Sequence, residues 1–265
     1  MELISTADIK RPLQETLSTH VIPQLLGQAG GMVHANDFTP AQCEALAQAC
    51  LSTDIGVAEA CARRFLAQGL GIESLMVGAI PNAARLFHDW WADDRIDFVD
   101  VTQASFHLEK LVHALSAEFV LHGPAKQAAR GHQALLVNTP GAHHSLGLLI
   151  LSQYFRRYGW QLLSPASASG EDLHSVVRAE WVDLLGISVS DQRQFDKLRQ
   201  LIVSLRQQAR NRSMWVMVGG PALRFEPQLA TVLGADMACF HADEAHVKAL
   251  ALVQAAQPMT QKQRA

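Results

Sequence analysis

The hydrophobic pattern of this chain changes period about halfway along, and that change limits the fold more than any other feature. Up to Leu121 the apolar residues recur at the three-and-four spacing of one-faced helices. Leu13, Leu17, Val21, Leu25 and Leu26 mark a helix over Ile9–Leu26. Ala-rich helical segments follow at Pro40–Leu51 and Ile55–Leu70, then Ile72–Trp91 interrupted by Pro81, then Phe98–Leu121. Thr39-Pro40-Ala41-Gln42 has the residues of a capping box with proline at the first helical position. From Ala134 onward, short β-rich runs alternate with amphipathic helices. The strands are Ala134–Asn138, Gln161–Ser164, Val182–Ser188, Met214–Val218 and Met237–Phe240. The helices are Leu146–Tyr158, Phe195–Gln208, Pro227–Leu233 and Glu244–Ala255. Strands that alternate with helices over roughly 120 residues form a parallel sheet covered on both faces. The sequence therefore predicts an all-α bundle (1–125), a Rossmann-like, doubly wound five-stranded α/β domain (132–256) and a polar, flexible tail (257–265).

Such sheets bind ligands beyond the carboxyl ends of their strands, and three predicted turns at that edge are unusual. The first is Ala142-His143-His144-Ser145-Leu146-Gly147, where a histidine can reach outward while glycine lets the backbone approach closely. The second is Ser188-Val189-Ser190, which puts hydroxyls at a strand end. The third is Gly219-Gly220, where missing side chains let a ligand lie against the backbone. Spacing to Gly147 favours His144 over His143 as a metal ligand, with His143 kept as the alternative. His241, after the last strand, lies near the same edge and reads as a possible ligand contact or a solvated side chain.

Other chemistries find no support. A formal charge of −3 gives no broad basic field for nucleic acid, so DNA contact is expected only through a partner. No Ser-His-Asp order, GxGxxG run or Cys/His zinc pattern occurs. Cys43, Cys50, Cys61 and Cys239 form no CxxC pair, as expected of a reducing, cytoplasmic compartment. No signal-peptide pattern and no run of ~18 apolar residues is present, so neither secretion nor membrane association is expected. Trp90 and Trp91 are adjacent and must point about 100° apart on a helix, so one can bury in the bundle while the other faces outward. Asp97 reads as a cap for the helix that starts at Phe98.

Together, the His-x-x-Gly turn, the serine-ended strand after Asp183-Leu184-Leu185-Gly186, Gly219-Gly220 and Gly234-Ala235-Asp236 resemble the cobalamin-binding domain of methionine synthase and its relatives. That resemblance implies His144 as the lower cobalt ligand and metal-binding residue, with Gly147 at the close approach. Ser188, Gly219 and Gly220, with Ser190 and His241 nearby, would line the cleft for the nucleotide tail. Two positions depart from the family pattern: Ala142 stands at the aspartate position and Ser190 at the leucine position. Trp91-Ala92-Asp93-Asp94 and Phe98-Val99-Asp100-Val101-Thr102, ahead of such a domain, resemble the AerR/PpaA group of bacterial cobalamin-binding antirepressors. The likeness implies adenosylcobalamin or hydroxocobalamin bound between bundle and sheet, with Trp91 or Trp90 above cobalt. Val101 and Thr102 replace the Glu-His pair of related light-responsive regulators.

The expected role is that of a light- or redox-responsive transcriptional regulator of photosynthesis and tetrapyrrole genes, working through a DNA-binding repressor protein. A ligand histidine without its carboxylate partner suits a sensor better than an enzyme. Two alternatives remain at this point: a corrinoid shuttle subunit of a methyltransferase system, and a haem sensor on the same scaffold.

Overall fold

The computed structural model describes residues 38–121, 123, 129, 131–140, 146–163, 170–223 and 226–255. The helix expected over 9–26, the His143-His144 turn and the tail 257–265 lie outside the described residues. The chain divides into two compact units. One contains 38–121 together with 146–153; the other contains 131–140, 154–163, 170–223 and 226–255.

The first unit is helical. Helix α1 (Pro40–Cys50) starts at the capping box, with the Gln42 N–H donating to Thr39 Oγ1 at 3.3 Å and the Thr39 N–H donating to Gln42 Oε1 at 2.8 Å. Helix α2 (Ile55–Ala67) is capped by Asp54, whose carboxylate accepts from the Gly56 N–H at 2.8 Å. The predicted interruption at Pro81 takes a definite form. A three-residue turn, α3 (Ile72–Ser74), runs into a π-helical stretch, Leu75–Ala79, and then α4 (Ile80–Ala92). Proline has no N–H and its ring crowds the carbonyl four residues back, so the chain widens by one residue before it and proline sits in the first turn of α4. Helix α5 (Phe98–Leu121) starts at a reciprocal pair. The Asp100 N–H donates to Asp97 Oδ1 at 2.8 Å and the Asp97 N–H to Asp100 Oδ2 at 3.0 Å. Helices α1, α2, α4 and α5 pack on one another. Leu46, Phe65, Phe87, Leu108 and Phe119 are buried in this unit. Cys43, Cys50 and Cys61 are buried too and act as small apolar groups, with burial pushing the Cys50 thiol up to about 12 and the neighbouring Cys61 adding to the effect.

The second unit carries a five-stranded, all-parallel sheet of order β2-β1-β3-β4-β5. Its strands are β1 (Gln133–Asn138), β2 (Gln161–Leu163), β3 (Leu184–Ser188), β4 (Trp215–Gly219) and β5 (Met237–Cys239). Helix α6 (Leu146–Arg157) follows β1, α8 (Phe195–Gln208) follows β3 and α10 (Ala242–Ala255) follows β5, as the sequence predicts. Helix α7 (Gly170–Ala179), between β2 and β3, was not foreseen. Its large apolar residues are Leu173, Val176 and Val177, too few to show a period. The helix expected over Pro227–Leu233 shortens to α9 (Leu229–Val232) after a turn.

Strand periodicity divides the side chains between the two faces. Leu135 and Val137 of β1, Leu185 and Ile187 of β3, and Val216 and Val218 of β4 share one apolar layer with Leu173 and Val177 of α7 and Leu198, Ile202 and Leu205 of α8. Helix α10 packs on β4 and β5, and its His246 stacks on Tyr158, just past the end of α6, with centroids 3.4 Å apart.

Candidate functional site

In the order β2-β1-β3-β4-β5 the chain moves first to one side of β1 and then to the other, so the topological switch point lies between β1 and β3. In open parallel sheets such a switch point, at the carboxyl edge, is where ligands bind. Register puts Asn138 beside Ser188 and Ser188 beside Gly219, so the last residues of β1, β3 and β4 stand in one row at that edge. The loop carrying His143 and His144 leaves directly from it, between Pro140 and Leu146; the histidines themselves lie outside the described residues.

Backbone bonds carry the row past the strands. The Thr139 N–H donates to Ser188 O at 3.0 Å, and the Val189 N–H to Gly219 O at 2.7 Å. Both glycines are required by this packing. A Cβ on Gly219 would lie 2.4 Å from Cys239 O, and one on Gly220, where φ is +101°, would lie 2.5 Å from Val189 O. The sequence treats the pair as space for a ligand; the structure shows that the protein's own carbonyls already need that space. Their backbone still lines the edge. Gly147, in the first turn of α6, is exposed, and a Cβ there would meet nothing within 4 Å. Among the described residues no close neighbour explains a glycine at that position.

Ser188 and Ser190 are half-buried on either side of the fully buried Val189. After Ser190, Asp191 caps a 3-10 turn over Gln192–Gln194, its carboxylate accepting from the Arg193 N–H at 2.9 Å. The Arg193 side chain also bonds that carboxylate and holds it below the usual carboxylate range. This turn brings Gln194 onto the first loop, where its Nε2 lies 3.5 Å from Pro140 O. Two polar atoms at the edge are buried without a hydrogen-bond partner: Thr139 Oγ1, on a residue only 2% exposed, and Gln194 Oε1. Sequence reasoning missed both residues. Each reads as ordinary loop polarity until β3 is placed beside β1.

The remaining predicted positions separate. His241 is exposed just past β5, and its carbonyl accepts from the Cys239 thiol at 3.3 Å. Gly234-Ala235-Asp236 stands at the opposite, amino edge. There Asp236 Oδ2 accepts from Arg206 at 2.6 Å and from the Val216 N–H at 2.7 Å, a strut between α8 and the β4–β5 pair. Asp183, also at the amino edge, accepts from the Gln133 N–H at 2.8 Å and from the Trp181 indole at 3.0 Å. These residues hold strands rather than a ligand. In the helical unit Trp90 is 3% exposed, with the Arg95 guanidinium over its ring, while Trp91 is 50% exposed. Trp91 borders an open cavity of about 390 Å³ with Asp94, Arg95, Asp97 and Phe98. The pair thus divides as adjacent helical positions must, with Trp91 the exposed one.

The described residues of the carboxyl edge fit a planar, metal-bearing cofactor. Among the described residues no three of His, Cys, Asp or Glu converge as a metal cage. A macrocycle brings its own equatorial nitrogens and asks the protein for one imidazole, a backbone surface and a few hydrogen-bonding groups. The carboxyl edge offers glycine backbone, half-buried hydroxyls and two buried polar atoms that have no protein partner.

Comparison with known proteins agrees with this geometry. Residues 132–251 match the family model described as the B12 binding domain. A protein of Rhodobacter capsulatus, described as an uncharacterized 20.5 kDa protein in the bchF-crtJ intergenic region, is 29% identical over 173 residues, covering 65% of this chain and 88% of its own length. The monomethylamine corrinoid protein of Methanosarcina barkeri shares the fold with a TM-score of 0.64 at 17% identity, covering 77% of this chain and 95% of that one. Among the described residues no helix is long and apolar enough to cross a membrane.

Proposed function

From the match of residues 132–251 to the B12 binding domain model, we propose that the chain binds cobalamin as cofactor and is a cobalamin-dependent regulator acting on a DNA-binding repressor. The observation that carries the cofactor part is the β1/β3 switch point, where Ser188 and the Gly219-Gly220 backbone align beside the root of the histidine loop. In this reading His144 is the lower cobalt ligand. Ser188 and Ser190 offer hydroxyls to the nucleotide tail, and Gly219 and Gly220 offer backbone. In the helical unit Trp91 has half its surface open, and buried Trp90 serves the bundle. Bound cobalamin supplies a cobalt–carbon or cobalt–oxygen bond whose state depends on light, oxygen and the form of the cofactor.

Support for a regulatory role comes from two sides. The Rhodobacter relative is encoded between bchF and crtJ, in keeping with the likeness to the antirepressor group. Ala142 leaves the ligand histidine without the adjoining carboxylate that would tune its basicity, which suits a sensor that binds its cofactor without cycling it. The repressor would then respond to a change in the loaded protein, as a ligand switch acting on a two-state element does.

Purification with hydroxocobalamin and with adenosylcobalamin, followed by absorption spectra of wild type, His144→Ala and His143→Ala in light and dark, tests the ligand. His144→Ala is expected to lose the histidine-ligated spectrum while His143→Ala keeps it; the reverse result transfers the role to His143. A haem-type Soret band without corrin bands would reject the cofactor. Co-purification of a candidate repressor with the loaded but not the empty protein is the expected sign of the regulatory role, and equal recovery by both forms would overturn it.

A further inference from the structure

We infer that Thr139 and Gln194 form a polar subsite at the β1/β3 switch point that takes a hydrogen-bond donor of the cofactor, either a corrin amide or a hydroxyl of the tail sugar. The inference rests on the cobalamin reading above. Thr139 follows β1 directly, and its backbone N–H donates to Ser188 O at 3.0 Å, which ties it to the end of β3. The side chain takes no part in that bond. Its Oγ1 is buried, on a residue only 2% exposed, and has no hydrogen-bond partner among the described residues. Gln194 arrives from the loop after β3. The 3-10 turn capped by Asp191 brings its Nε2 to 3.5 Å from O of Pro140, the residue next to Thr139. Its Oε1 is likewise buried and unpartnered, so the two atoms do not bond each other.

Buried polar atoms are nearly always paired, and two that are not, set beside the same proline, need a reason. Their chemistry says what would pair them. The Pro140 carbonyl only accepts, so the Gln194 amide nitrogen must face it and Oε1 must face the other way. An amide oxygen accepts, whereas a hydroxyl both donates and accepts. The pair therefore asks for a group that donates to Oε1, and the cofactor's phosphate, whose oxygens only accept, does not qualify. A primary amide or a sugar hydroxyl does. Each can donate to the glutamine oxygen and still accept from the threonine hydroxyl. Cobalamin carries both kinds of group, amides around the corrin ring and a sugar in its nucleotide tail.

Valine has the shape of threonine without the hydroxyl, so Thr139→Val separates the hydrogen bond from packing. The readouts are hydroxocobalamin affinity by spectroscopic titration and the urea midpoint of the empty protein. Thr139→Val is expected to bind about 10-fold more weakly, while the midpoint of the empty variant is no lower than that of wild type, because the hydroxyl removed had no partner to lose. Thr139→Ser keeps the hydroxyl and is expected to keep the affinity. Gln194→Met keeps the length of the side chain without the acceptor and is expected to bind more weakly. Titration with dicyanocobinamide, which lacks the nucleotide, identifies the donor: weakening that persists supports a corrin amide, and weakening confined to hydroxocobalamin supports the tail sugar. A lower midpoint for empty Thr139→Val overturns the inference at any affinity, since the hydroxyl would then be paired within the chain or through a buried water. Wild-type affinity in either Thr139→Val or Gln194→Met overturns it too. Wild type that binds no hydroxocobalamin would overturn the cofactor reading itself.

Discussion

Burial decides what each titratable side chain can do here. His246, on α10, stacks on Tyr158 and, more loosely, on Tyr154 of α6, with both ring nitrogens buried and unpartnered. Burial, and secondarily the Arg157 charge, pushes its imidazole down to about 3. The unfolded chain takes up this proton below about pH 6.5, while the folded chain stays neutral until about 3. Stability from this site is therefore complete above pH 6.5 and falls as the pH drops through the interval toward 3. His246→Phe keeps an aromatic ring and removes the titration. Urea unfolding from pH 7 to pH 4 should show a shallower acid decline for the variant; parallel curves would remove His246 from the acid response. Gln194 and Thr139 teach the complementary lesson. Their composition is that of any polar loop, and only their burial without a partner marks them.

At the scale of elements, helix starts were the most legible features of the sequence, because a cap is a local hydrogen bond between residues three apart. Thr39 with Gln42 and Asp97 with Asp100 both form as their spacing predicts. Asp97→Ala should cost about 1 kcal/mol of stability, read as a lower midpoint in urea, and Asp97→Ser should recover most of it. Equal midpoints for wild type and Asp97→Ala would show that the α5 start is held by packing alone. Helix α7 and the short α9 were less legible because few apolar residues mark their period. The π-helical turn before Pro81 was half visible: proline announces a break, but whether the chain kinks, ends or widens depends on what packs around it. Gly219 and Gly220 were found for one reason and are needed for another, since the close carbonyls of Cys239 and Val189 belong to neighbouring strands.

At the scale of the molecule, a cofactor that binds only the folded protein must stabilise it. With cobalamin at 100 times its dissociation constant the gain is about 2.7 kcal/mol. Thermal unfolding with hydroxocobalamin should therefore rise with ligand concentration for wild type and rise much less for His144→Ala at the same concentration. A melting curve indifferent to cobalamin would deny a specific site on the folded chain.

The sequence by itself determined the five strands, most of the helices and their caps, because period, capping and turn chemistry act over a few residues. It also picked out Ser188 and Gly219, which register places side by side at the carboxyl edge. Tertiary structure decided the rest. The order β2-β1-β3-β4-β5 put the switch point between β1 and β3, Gly-Ala-Asp proved to belong to a strut at the opposite edge, and Gln194 came to lie against Pro140 across 54 positions of chain. Such contacts join residues distant in sequence through parallel pairing, and no local pattern records which strand a given strand will lie beside.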